Sequence, residues 1–219
     1  DLLGDGLTYQ AAPGMRPSAL ESQDHLDGST MDLEGAIASD AIMERDLDAG
    51  RWDGAQMQLY VTDWTQPHVA PILMAEGILG GIERRGASFS AELQGVMRHL
   101  DGPVCPATSP SCRANFGDKA CRVNLAARTY YRRVTAIAGH VVTLDASVPV
   151  GRMIYGECLW LDGANCGVSS PISQQNSGTV LQLAEEPPLP LALPARVRLV
   201  EGCDKQLATC RSIFANAVN

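Results

Sequence analysis

The chain has 219 residues, 45% of them hydrophobic and 19% charged, with 17 Lys and Arg against 25 Asp and Glu for a net charge of −8 and a pI near 4.9. This is the composition of an ordinary folded chain rather than of a disordered one, long enough for one large core or two smaller ones. The acidity argues against a protein that grips nucleic acid, which needs a basic face; the compact basic clusters are Arg132-Arg133 and, more weakly, Arg84-Arg85.

No apolar run approaches the ~18 residues of a membrane span, and no signal peptide is expected. The start at Asp1 without a Met and the stop at Asn219 lead us to expect that both ends are truncated. Aromatics at 5% with Gly 21 and Pro 13 favour many short elements joined by turns.

In chain order, residues 1–100 predict an α+β module dominated by sheet. Thr30 to Leu33 reads as a short strand. Ser39 or Asp40 can cap a helix through Ala41 to Leu47 that stops at Gly50. Met57, Leu59 and Val61 alternate with Gln56, Gln58 and Tyr60, the period of a half-buried strand. Ile72 to Gly80 and Ala87 to Leu93 read as two more, joined by a polar turn at Glu83 to Gly86. From Asp101 to Asn124 prolines and cysteines crowd a loop without apolar periodicity, which marks the domain boundary between 1–100 and 101–219. Beyond it, Arg133 to Ile137 and Val141 to Leu144 flank a hairpin turn at Ala138-Gly139-His140. Strands are expected at Met153 to Leu161, Gly178 to Leu183 and Ala195 to Val200, then one or two helical turns over Leu207 to Phe214. The second module reads as an antiparallel barrel or sandwich with cysteine loops at one end.

Seven cysteines cannot all pair, and the chain is long for a disulfide scaffold, so a reducing environment with metal-binding thiols is the better prior. Cys112 and Cys121 lie in one loop, Cys203 and Cys210 in another. Neither pair has the two-to-four-residue spacing of a zinc knuckle. Wide spacing suits a larger object such as an iron–sulfur cubane. Arg113, Arg122, Lys205 and Arg211 lie close in sequence to these thiols and can offset thiolate charge. Four buried free cysteines remain the plainer alternative on spacing alone. Cys158 reads as core filler beside Ile154 and Trp160, Cys166 as an incidental loop thiol, and Cys105 as a competitor for the site set apart by Pro106.

No enzyme signature emerges. His25, His68, His99 and His140 show no paired spacing. Asp46 to Asp53 lacks the closing Glu of a calcium loop and fits a helix end. Asp118 and Asp204, the acidic residues nearest the cysteines, fit turn and capping roles.

Taken together, Cys112-Arg-Ala, Gly117-Asp118, Cys121-Arg-Val, Gly202-Cys203-Asp204-Lys205, Thr209-Cys210-Arg211, Phe214, Asn216 and Asn219 resemble the C-terminal domain of phage tail-tip hub proteins. That group includes the lambda-type minor tail protein L and the hub of gene transfer agents. Asp46 to Ala55, Val61 to Trp64 and Glu92 to Gly95 are similar to the N-terminal domain of the gene-transfer-agent group. The resemblance covers nearly the whole chain. It implies a mainly β fold with some α: two tube-like β domains, the second a barrel or sandwich closed by a cysteine-ligated cluster. It implies a [4Fe–4S] cluster on Cys112, Cys121, Cys203 and Cys210, with zinc as the alternative. It further implies a structural virion component, not an enzyme, made in the host cytoplasm and placed at the tail tip or baseplate. There a homotrimer joins the tail tube and the distal tail protein ring to central fibre or baseplate (megatron-like) proteins, with a tail peptidase among the partners. Its ring lines a channel through which DNA passes without specific binding. The rivals are a zinc-stabilised binding module and an iron–sulfur redox protein.

Overall fold

The computed structural model describes residues 2–4, 7–9, 15–18, 30–36, 42–66, 69–95, 105 and 108–217. The chain divides into two compact units, Asp1–Cys105 and Pro106–Asn219. Among the described residues no helix is long and apolar enough to cross a membrane.

The first unit has a small pair of strands, β1 (Leu2–Gly4) and β2 (Leu7–Tyr9), and a five-stranded antiparallel sheet. The sheet strands are β3 (Met15–Pro17), β4 (Thr30–Ala36), β5 (Gln56–Val61), β6 (Ile72–Arg85) and β7 (Ser88–Gln94), in the order β3-β4-β7-β6-β5. Strand β7 shows why the sheet forms: Phe89, Ala91 and Leu93 all turn inward while Ser, Glu and Gln take the other face. Gly35 sits opposite Phe89, and a Cβ there would run into the phenyl ring.

Helix α1 (Glu44–Asp48) adds Leu47 to that core and is shorter than the sequence predicts. Its expected caps, Ser39 and Asp40, lie outside the described residues. Three strand expectations also shift. Glu83 to Arg85 belong to β6, because they pair with Ser90, Phe89 and Ser88 of β7 across a turn that is only Gly86-Ala87; Arg84 also reaches Glu44 (2.5 Å) and Asp48 (3.0 Å) on the helix. Strand β6 runs past Gly80 through a register break between Leu79 and Ile82. A second break between Leu59 and Tyr60 ends the alternation in β5 and leaves Val61 54% exposed.

In the second unit a 3-10 turn at Leu125–Arg128 leads into β8 (Thr129–Ala138), β9 (Val141–Leu144), β10 (Glu157–Trp160), β11 (Ser169–Gln175), β12 (Val180–Leu183) and β13 (Ala195–Val200). They form a closed barrel in the order β10-β11-β12-β9-β8-β13, so the choice between barrel and sandwich falls to the barrel. Closure comes from β13, which pairs with β8 on one side and β10 on the other. The interior is filled by alternating residues such as Val134, Leu181, Leu183, Val197 and Leu199. Trp160, fully buried, gives its indole N–H to Ser170 Oγ at 3.0 Å.

Two strands begin later than the sequence predicts. Met153 to Gly156 form a turn, with Tyr155 at φ +64°, because the chain passes β13 too closely for a pleat: a Cβ on Gly156 would strike the Val200 carbonyl. Gly178 packs against Ser147, and β12 starts only at Val180. The sequence reading missed β11 altogether. Its Ser-Ser-Pro-Ile-Ser-Gln-Gln composition hides an alternation in which Ser170 and Ile172 point inward.

Candidate cysteine site

Strand β13 runs straight into Glu201-Gly202-Cys203, and the following turn opens helix α2 (Leu207–Ser212), which carries Cys210. Asp204 shapes that turn: its carboxylate accepts from the backbone N–H of Gln206 (2.9 Å) and the hydroxyl of Thr209 (2.7 Å). Asp118 does the same for the first loop, accepting from the N–H groups of Asn115 (2.8 Å), Ala120 (2.9 Å) and Cys121 (2.7 Å). The Cys121 N–H, then that of Asn115, holds the Asp118 carboxyl below its ordinary value of 3.8. Hydrogen bonds from Thr209 and then Gln206 lower Asp204 in the same way. Both carboxylates are thus committed to shaping loops. Gly117, at φ +79°, has the Leu125 side chain where a Cβ would stand, so only glycine fits.

Main-chain and side-chain bonds join the two loops. The Cys112 N–H donates to the Lys205 carbonyl at 2.9 Å, and the Lys205 ammonium donates to the Ala114 carbonyl. The Asn216 amide nitrogen donates to the Cys121 carbonyl and lies 3.9 Å from Cys121 Sγ, while its backbone N–H donates to the Cys210 carbonyl at 3.1 Å. As a result Cys112, Cys121, Cys203 and Cys210 line one small recess of about 40 Å³, with Phe116, Lys205, Phe214 and Asn216 around them. Cys112 is exposed and the other three half-buried, and all four are free thiols.

The donor set fits a thiolate-bound group. Burial pushes the Cys210 thiol up, and charge on Cys203, Cys121 and Cys112 pushes it further, so four thiolates can coexist there only around a cation that reverses the repulsion. Among the described residues no group of three or more His, Cys, Asp or Glu is gathered closely enough to hold a single metal ion. Of the four cations expected beside the four thiols, only Lys205 lines the recess.

The other cysteines separate cleanly. Cys158 is fully buried in the barrel core and its thiol is pushed up to about 12 by burial and then by the Glu157 charge. Cys166 is exposed, its thiol donating to the Leu161 carbonyl at 3.3 Å, and Cys105 is exposed in the first unit. His140 occupies the hairpin turn; His25, His68 and His99 lie outside the described residues. Asp46 pairs with Arg51 at 2.8 Å beyond α1, as a helix end does.

Sequence reasoning missed the support behind the recess. Glu201, 2% exposed, is held by Arg128 (3.2 Å), Arg152 (3.3 Å) and the Tyr130 hydroxyl (2.9 Å). The signal was present: Glu201 continues the inward series Ala195, Val197, Leu199 at the next alternate position.

Three comparisons bear on this geometry. Residues 1–124 match a family described as the baseplate hub protein, N-terminal attachment domain, and residues 151–219 match one described as the phage conserved hypothetical protein BR0599. A chain in the virion of a native gene transfer agent particle superposes with a TM-score of 0.83 at 28% identity, covering 97% of this chain and 77% of that one. The search of curated proteins gives no match. With the first match spanning more than half its length, the chain belongs to the phage baseplate hub proteins that carry this N-terminal attachment domain.

Proposed function

We propose that the chain is a structural, non-enzymatic hub of a phage-like tail tip, in which the four cysteines bind a [4Fe–4S] cluster that fastens the second unit. The observation that carries the fastening is the single recess lined by Cys112, Cys121, Cys203 and Cys210 from two distant loops. When bound, the cluster supplies covalent cross-linking of the two loops. The protein's part is to present four thiols and to hold them with the Asp118 and Asp204 turns. A recess this small, whose nearest carboxylates already serve backbone and hydroxyl donors, favours a fastening over a substrate site. The wide spacing within each pair, eight residues between Cys112 and Cys121 and six between Cys203 and Cys210, favours a polynuclear cluster over a zinc knuckle.

As a hub the chain acts as a homotrimer, its two units serving as tube-like domains between the tail tube with its distal ring and the central fibre or baseplate proteins, with a tail peptidase nearby. The barrel interior is packed with side chains, so any DNA channel lies between copies and not through a barrel. Among the described residues, both outer strands of the first sheet, β3 and β5, lack a partner on one side. The hairpin beside β5 exposes Trp64, Ile72, Leu73 and Met74. These features support attachment by the first unit. A net charge of −8 supports DNA passage without specific binding.

The test is metal and sulfide analysis with a visible spectrum on anaerobically purified protein. Four irons and four sulfides per chain with a brown chromophore are expected. One zinc per chain, or no metal at all, overturns the cluster.

A further inference from the structure

Two features meet at Phe214, and the first of them has no role in the proposed function. The first is a buried carboxylate. Burying a carboxylate is costly unless it is well paired, yet the chain buries Glu201 at the end of β13 and surrounds it with two guanidiniums and a phenol. Both guanidiniums then lie against one ring: Arg128 stands 5.4 Å and Arg152 5.6 Å from the Phe214 centroid. The second is the recess, which Phe214 lines together with Phe116, the two rings 4.8 Å apart.

Beyond Phe214 the chain turns sharply, with Ala215 at φ +50°, and Asn216 returns to bond the carbonyls of both Cys121 and Cys210. Phe214 and Asn216 thus both line the recess, joined by the sharp turn at Ala215. One end is gripped by the barrel through Glu201, and the other bonds the backbone at two cysteines.

We propose that Phe214-Ala215-Asn216 is a strap that closes the recess over Cys121 and Cys210, and that Arg128 and Arg152, oriented by Glu201, are the positioning residues that hold it shut. The strap governs how readily solvent species reach those two thiols. Cys112, exposed at the rim, lies outside its cover. Arginine suits this duty because its planar group stacks on a ring while it pairs with a carboxylate, which lysine does not do. The protection of a thiol-bound group rests on the proposed function; the closure of the strap does not.

The test uses the full chain in two arms. In the first, the reduced, metal-stripped protein is alkylated with iodoacetamide and the rate at each cysteine is read by mass spectrometry. In Phe214→Leu, Cys121 and Cys210 are expected to label about tenfold faster than in the wild type, the size that two lost cation–π contacts imply, while Cys112 is unchanged. Asn216→Ala is the second variant, should the first disturb the barrel, and is expected to move Cys121 most. Arg128→Lys keeps the charge and is expected to fall between wild type and Phe214→Leu. In the second arm, iron release from anaerobically prepared protein to a ferrous chelator is expected to quicken in the same order. Unchanged labelling of Cys121 and Cys210 in both Phe214→Leu and Asn216→Ala overturns the strap, as does equal acceleration at Cys112. A wild type that carries no iron defeats the cluster while leaving the labelling arm to decide the strap.

Discussion

The backbone N–H of Cys112 is hydrogen-bonded to the carbonyl of Lys205 at 2.9 Å, so the two cysteine loops are held together by main chain whatever the thiols carry. A thiol-bound group of the kind proposed would add a cross-link that encloses the barrel sequence from Cys121 to Cys203. Loop-closure entropy for so long a segment stabilises by up to about 4 kcal/mol. Cys203→Ser is accordingly expected to lower the urea midpoint of the loaded protein while the metal-free wild type and variant unfold alike. Equal midpoints for loaded wild type and variant count against the staple.

The crossing of β13 with the Ile154 to Gly156 turn sets a second expectation. A Cβ on Gly202 would press on the Ile154 carbonyl and the Gly156 nitrogen, both main-chain atoms that cannot swing aside. Gly202→Ala is expected to cost about 3 kcal/mol or more, in the range of severe backbone strain. Gly81→Ala is the control, since nothing lies within 4 Å of the added methyl and its φ is not positive; its effect should stay within about 1 kcal/mol. Denaturant unfolding of the two variants separates them.

The division of the thiols predicts their chemistry. The thiolate is the reactive form, and at pH 8 a thiol raised to about 12 in a sealed core supplies almost none. Native protein treated with iodoacetamide should therefore label at Cys166 and not at Cys158, as peptide mapping will show. Cys158→Ser is expected to destabilise by about 1–3 kcal/mol through an unpaired buried hydroxyl.

How far the sequence could be read follows from which interactions are local. Strand β13 and the hairpin from β8 to β9 are written in period-two alternation, and Gly139 at φ +59° marks their turn. The cysteine pairs were visible because thiols are rare and their spacing is countable. What stayed hidden depends on distant partners. Strand β11 is polar along most of its length and becomes a strand because β10 and β12 bracket it. Glu83 to Arg85 are strand and not turn because they pair with Ser88 to Ser90 across Gly86-Ala87, which their polar composition hides. Arg128, Arg152 and Glu201 look unrelated in sequence, and only the folded barrel brings the two arginines together on Glu201 and on the Phe214 ring.

One contribution to the pH dependence of the second unit comes from an ion pair between Asp162, just past β10, and Arg196 on β13. Asp162 accepts from the Arg196 guanidinium at 2.9 Å and from the Arg196 backbone N–H at 2.8 Å, and these bonds, the guanidinium first, lower its pKa from the ordinary 3.8. A carboxyl whose folded pKa lies below its unfolded value adds stability above the unfolded value and loses it as pH falls through the folded one. The contribution is therefore complete at pH 7 and disappears below 3.8. With Arg196 at 61% and Asp162 at 33% side-chain exposure, solvent screens the pair to about 0.5 kcal/mol. Asp162→Asn keeps an oxygen for the backbone N–H and removes only the charge. Urea midpoints of wild type and variant should differ by that small amount at pH 7 in low salt, draw together in high salt, and coincide as the pH is taken below 3.8. A gap that persists undiminished in acid would assign the stabilisation to hydrogen bonding alone.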